Sequence, residues 1–350
     1  MTRNKTILLA FAGQEIDQVE GVSEIGDGYE CLNLRKFCLE KFIVELQAKI
    51  PPVNKNVLRN YTAEDERADF GITEKAFREC SWGLLIPDSL DDAIATSYGE
   101  PLFLINLYSA VFLYPLFCAG DYGIEPVRTR RRIVPHQDQS CRFTTIKFVK
   151  FFTAMLAQSQ YAGLSMDRAK RWNQEEWRLY VAARLFTGLQ DYDDGKEAFG
   201  WWQRESADMG TILESLLTEV DRRHDFEKKL KQRAAVLLSH RFPAIRDDIE
   251  ELYEQRSRFV HGQFYAKVAD QIAKNPDDLP KPDFELLSKH RERIRCLIVA
   301  YLHLSQVLRN DATAYPGMKS VIDVLEKAAS GDSQVADRVS RDVDEVFALL

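Results

Sequence analysis

The chain has 350 residues, of which 45% are hydrophobic and 29% charged, and a net charge of −7. That length is sufficient for two domains with a sizeable buried core, and the balance is that of a soluble globular protein. The negative charge argues against a protein coated in nucleic acid through a broad basic surface, while leaving room for a small phosphodiester site.

The first apolar run, Ile7 to Ala12, is followed closely by Gln14, Glu15 and Asp17. It reads as a candidate strand and is too short for a signal-peptide core. The segment 32–52, LNLRKFCLEKFIVELQAKIPP, reads as a helix stopped by Pro51 and Pro52. The longest apolar stretch, LFLINLYSAVFLYPLF at 102–117, contains Asn106, Ser109 and Pro115. It falls short of the roughly 20 residues that a membrane span requires, so a buried helix is expected and no membrane association. Next, GIEPVRTRRRIVPHQDQ places Arg128, Arg130, Arg131 and Arg132 in a proline-bounded segment. Such a cluster reads first as a solvated loop or edge. Residues 1–165 are therefore expected to form a mostly helical region with a short strand, its role unassigned. Six cysteines occur singly, with no CxxC pair, as in the reduced thiols of a cytoplasmic protein, and no zinc spacing is present.

From about residue 170 the apolar residues recur at helical spacing. Trp177, Tyr180, Val181, Leu185 and Leu189 mark one face, with Arg184 as a polar exception. Ile212, Leu213, Leu216, Leu217 and Val220 mark the next, and Phe226, Leu230, Ala234, Leu237 and Leu238 a third, with lysines opposite. A fourth helix starts near Pro243, with Ile245, Ile249, Leu252, Tyr253 and Val260 along one face. After the Pro- and Asp-rich segment KNPDDLPKPDF, a long helix is expected from Glu285 to Leu308. Five helices with short connections predict a mainly α chain with an antiparallel bundle over 166–310. The tail, 311–350, predicts two short helices split by SGDSQ that pack on the bundle or serve a partner.

The fourth helix ends in LYEQRSRFVHGQ, residues 252–263. Arg256 falls seven residues after Ile249 and so shares the apolar face, where an arginine requires a carboxylate or a bound anion. Glu214, in TILESLL, is the candidate partner. Gly262 directly after His261 is the residue expected to end the helix in a left-handed conformation, which makes His261 the C-cap. A cap is free of helical torsions, so its ring can turn towards the groove that Arg256 faces. The helix dipole there also favours the cationic imidazole. On spacing alone, common capping chemistry and a bridging arginine explain the same residues.

The surroundings add to this. Leu213, Glu214, Leu216 and Leu217, then the lysine-rich helix, then Leu252, Tyr253, Arg256, Ser257, Val260, His261 and Gly262 stand in an order that resembles the HEPN superfamily, and more narrowly its ApeA-like domain. The resemblance covers about residues 170–310. It implies a helical bundle and a metal-independent endoribonuclease that needs no cofactor, with the R-x4-H motifs of two protomers meeting across a homodimer. RNA is then the partner, and a role in phage defence or a toxin-like system follows, with a trigger or partner protein sensed through the N-terminal region. In such a site Arg256 and His261 are the catalytic pair, with Ser257, Glu214 and Tyr253 in support. Arg258, Lys228, Lys229 and Lys231 would track the RNA backbone, the lysines as part of a basic strip that runs from Arg222 to Arg233. The competing expectation is a non-catalytic binding or dimerisation module in which Arg256 and His261 form an anion site or a structural bridge.

Overall fold

A computed structural model describes residues 5–12, 16–17, 22–26, 29–33, 80–88, 99–108, 115–120, 123–126, 143–144, 147–148, 150–152, 154–155, 173–189, 200–219, 225–275, 280–311 and 313–350. The fold is mainly α, with helical residues far outnumbering strand residues. The chain divides into two compact units, Met1–Ser97 with Tyr108–Ala154, and Tyr98–Leu107 with Met155–Leu350.

The first unit corrects the expectation of a mostly helical N-terminal region. It carries a six-stranded antiparallel sheet in the order β3-β4-β5-β1-β6-β7. The strands are β1 (Lys5–Ala12), β3 (Val22–Gly26), β4 (Tyr29–Asn33), β5 (Cys80–Asp88), β6 (Pro115–Gly120) and β7 (Gly123–Pro126). β2 (Ile16–Asp17) and β8 (Phe143–Thr144) form a separate parallel pair. The candidate strand at Ile7–Ala12 is thus β1, and it lies inside the sheet, paired with β5 on one side and β6 on the other. A central strand reads as a continuous apolar run, which periodicity cannot separate from a short buried helix.

Two helix expectations change for this reason. The apolar stretch at 102–117 is a helix only as far as Tyr108, in α1 (Gly99–Tyr108). Its far end belongs to β6, which starts at Pro115, the end position at which a strand tolerates a residue without an N–H. The expected helix at 32–52 begins inside β4, and its remainder lies outside the described residues, as does the arginine cluster at 128–132.

The second unit is a helical bundle. It comprises α2 (Gln174–Gly188), α3 (Trp201–Leu217), α4 (Phe226–Leu238), α5 (Ile245–Val260), α6 (Gln263–Lys274), α7 (Phe284–Asn310), α8 (Val321–Ala329) and α9 (Ser333–Phe347). α7 is the central element: every residue from Ile294 to Leu302 is buried, the pattern of a helix surrounded by others. It includes Cys296, a free thiol whose pKa burial pushes up to about 12, which leaves it unreactive. The expected apolar faces of α3 and α4 are buried, with Leu213, Leu216, Leu217, Leu230 and Leu238 fully so.

Side-chain pairs give the helix directions. Early in α2, Arg178 donates to the carbonyls of Ser215 and Thr218 at the end of α3. Lys231 of α4 meets Glu250 of α5, while Phe226 meets Tyr253. Asp248 of α5 meets Arg293 of α7, while Glu251 meets Lys289. Each of these three pairs of helices is therefore antiparallel. α8 and α9 pack on the bundle, with Glu326 of α8 held by the buried Arg233 of α4. In α1, the carbonyl of Leu107 accepts from Arg295 of α7 at 2.6 Å.

Three details of the bundle differ from expectation. The buried face of α2 is Leu179, Ala182, Ala183 and Phe186; of the face marked by Trp177, which is 38% exposed, only Leu189 is buried. Arg178, capping the carbonyls of α3, turns the helix that way. Val260 continues the apolar face of α5 but is 56% exposed. α6, which directly follows Gly262, has no counterpart in the sequence reading. Among the described residues no helix is long and apolar enough to cross a membrane.

Candidate functional site

The groove between α3 and α5 carries the site. α5 begins at Ile245 with Asp247 and Asp248 in its first turn, where carboxylates suit the positive end of the helix dipole. Ile245, Ile249 and Leu252 anchor it in the core. That registration brings Arg256, one turn beyond Leu252, onto α3. Its Nη2 donates to Glu214 Oε2 at 2.6 Å, and both side chains are about one-fifth exposed. The structure therefore gives Arg256 the partner that the sequence pattern names.

Three neighbours define how Arg256 lies. The Tyr253 ring sits 5.8 Å from its guanidinium carbon, within cation–π range. Its stem crosses α3 at Gly210, where a Cβ would lie 2.4 Å from Arg256 Cδ. Its Nε is buried with no hydrogen-bond partner. The electrostatics are correspondingly strained. Burial raises the Glu214 carboxyl above its ordinary pKa, although the Arg256 charge and hydrogen bond pull it down. Burial, then the Glu214 charge, raises the Tyr253 phenol as well. Glu214 and Arg256 thus form a pair whose mutual attraction does not fully offset the removal of water.

His261 is the C-cap of α5, with φ −87° and ψ 9°, and Gly262 follows at φ +69° in the left-handed region, as the sequence predicts. The amide of His261 donates to Ser257 O at 3.0 Å and that of Gly262 to Phe259 O at 2.9 Å, which closes the last turn. The imidazole is exposed and makes no hydrogen bond or ion pair among the described residues. No hydrogen bond or ion pair joins it to Arg256 among the described residues. Next to it in the chain Val260 is 56% exposed, and Tyr265, in the first turn of α6, is 48% exposed. Ser257 is half-buried one turn before His261.

The expected RNA-tracking cations are arranged less favourably. Arg258 is bonded to Glu254 at 2.8 Å along the same helix. Lys231 lies between Glu227 and Glu250, and Lys229 reaches Glu326. Because 229 and 231 are about 200° apart round α4, these lysines enter different grooves instead of forming one strip. Glu250, beside Lys231, is about 16 Å along α5 from His261. Lys228 alone of the four is exposed without an ion pair among the described residues, and Arg222 and Arg223 lie outside them.

Gly210 is the contact that the sequence reading missed. Its signal is present, since a lone glycine inside the amphipathic run ADMGTILESLL usually marks a close approach. Among the described residues, no three His, Cys, Asp or Glu side chains are grouped so as to hold a metal ion. No protein-family model, no curated protein and no solved structure matches this chain.

Proposed function

We propose that this protein is a metal-independent endoribonuclease of the HEPN class, acting as a homodimer in which the α5 termini of two copies form one site. The observation that carries the reading is the pairing of a sterically fixed, half-buried arginine with an exposed, unengaged histidine at the end of the same helix. In the reaction the 2′-hydroxyl attacks the adjacent phosphorus, the 5′-oxygen leaves, and a 2′,3′-cyclic phosphate remains. His261 takes the proton from the attacking oxygen or delivers one to the leaving oxygen, a task suited to imidazole near neutral pH. Arg256 holds the non-bridging oxygens as charge builds on them, its planar fork matching phosphate. Ser257 and Tyr253 line the approach, and Lys228 is the lysine best placed to meet RNA.

The dimer supplies what one copy lacks. Arg256 and His261 share no hydrogen bond or ion pair among the described residues, and the exposed Val260 next to His261, with Tyr265 in the first turn of α6, offers an apolar border for a second copy. A defence or toxin-like role, with the N-terminal unit sensing a trigger, completes this reading. One observation favours the alternative of a silent binding or dimerisation module: Glu214 already occupies Nη2 of Arg256, as a structural bridge would.

The two readings separate with His261→Ala. Purified protein of demonstrated dimeric sedimentation is incubated with mixed cellular RNA. The wild type cuts, and the variant, equally folded by circular dichroism, loses at least about 100-fold in rate. Equal cutting by His261→Ala excludes the ribonuclease site, and a monomer that cuts excludes the composite one.

A further inference from the structure

Arg256 does not merely touch α3; it occupies the space of a missing side chain. A Cβ at Gly210 would lie 2.4 Å from Cδ, 3.1 Å from Cβ and 3.2 Å from Cγ of Arg256. The first distance is one that real Cβ atoms do not adopt, and the other two are tight. The obstruction therefore involves three consecutive atoms at the root of the side chain. A rotation about one bond could move Cδ, but the Cβ of Arg256 is fixed by the backbone of α5, so relief requires the two helices to separate. Gly210 is buried in mid-helix, where glycine is the least favourable residue after proline. Nothing in the local conformation demands it, since its φ is not positive.

One turn further along α3, Glu214 binds Nη2. The buried Nε has no acceptor, so its position is set by packing and by this one ion pair. We propose that Gly210 is a positioning residue for Arg256: the bare backbone at 210 lets the arginine stem lie flat on α3, and Glu214 then fixes the angle of the fork. This rests on the reading of Arg256 as the phosphate-holding group. An alanine at 210 lifts the stem, displaces the guanidinium from Glu214 and misdirects it relative to His261, although neither reacting side chain is itself replaced.

The test is a double-mutant cycle on the full chain: wild type, Gly210→Ala, Arg256→Ala and the double variant, compared by thermal unfolding. In the wild-type background Gly210→Ala lowers Tm, by about 5 °C for an overpacked core of this size. In the Arg256→Ala background the Cγ and Cδ contacts are gone and only the 3.1 Å contact to Cβ remains, so the same change costs less than half as much Tm. Should Gly210→Ala fail to fold, recovery of a folded protein in the double variant carries the same meaning. An equal loss of Tm in both backgrounds, or a double variant that does not fold, overturns the proposal.

RNA cutting supplies the functional readout. Gly210→Ala lowers kcat about tenfold with KM within about twofold, the mark of a misplaced group and not of a lost binding surface. Unchanged kcat in a Gly210→Ala protein overturns the positioning role. If the wild type cuts no RNA yet the Tm loss shrinks in the Arg256→Ala background, Gly210 still positions Arg256, and it is the ribonuclease reading that fails.

Discussion

Helix α5 carries two charged clusters, one against α3 and one against α7, and they are built on different terms. Against α7, Asp248 accepts from Arg293 at 2.7 Å and pairs with Lys289 at 3.2 Å, and Lys289 also bonds Glu251 at 2.9 Å. Burial pushes the Asp248 carboxyl up, yet its bonds to Arg293 and Lys289 outweigh that and hold it below its ordinary value. Against α3 the balance reverses: Glu214 has one cationic partner, its pKa stays raised, and Arg256 keeps an unsatisfied Nε. In the α7 cluster Asp248, Glu251, Lys289 and Arg293 answer one another, beside a buried His290 whose ring nitrogens make no hydrogen bond, and such networks fix a helix in place. The α3 cluster leaves capacity unused and ends in an exposed histidine. On one helix, the cross-linked cluster accounts for stability, and the cluster with a single ion pair is the one we propose as the site.

The sharpest way to break this contrast is to remove Asp248. Asp248→Ala strands Arg293, leaves Lys289 with Glu251 alone, and lowers unfolding free energy by about 3 kcal/mol in denaturant titration. A loss below about 1 kcal/mol contradicts the structural assignment.

His290, buried on α7 3.6 Å from Glu251, extends the comparison to pH. Burial lowers its pKa from 6.5 to about 4, although Glu251 pulls it up. The unfolded chain therefore binds a proton first as pH falls. The stability contribution is complete above pH 6.5 and is lost progressively down to pH 4, amounting to roughly 3 kcal/mol. Chemical denaturation across that range follows this slope in the wild type and loses it in His290→Leu; parallel curves would show that His290 titrates alike in both states.

The smallest effect falls on the rim. Arg258 is half-exposed and bonded only to Glu254, so Arg258→Ala changes stability by less than about 0.5 kcal/mol. An effect above 1 kcal/mol would place Arg258 inside a network that the structure does not contain.

The bundle was legible in the sequence where one helix face is apolar and the other polar. α3, α4 and α5 follow that rule, and so do the two tail helices, with SGDSQ between them, whereas α7 is buried all round from Ile294 to Leu302. The link from Arg256 to Glu214 was legible for a related reason, since an arginine on an apolar face needs a carboxylate. The sheet was not, because a central strand such as β1 lacks alternation, and one apolar run, at 102–117, supplies both a helix and a strand. α6 was hidden behind the turn signal of Gly262. The role of Gly210 depends on which residue faces it across the groove, and spacing within a single helix does not encode that.

The central claim is best tested by the ends that cutting leaves. A 3′-end-labelled RNA and its unlabelled twin are incubated in EDTA with wild type, His261→Ala and Arg256→Ala, and the new termini are analysed. The account predicts cutting by the wild type alone, with 2′,3′-cyclic phosphate on one fragment and a 5′-hydroxyl on the other. Equal cutting by all three proteins, or fragments ending in 3′-hydroxyl and 5′-phosphate, would contradict it.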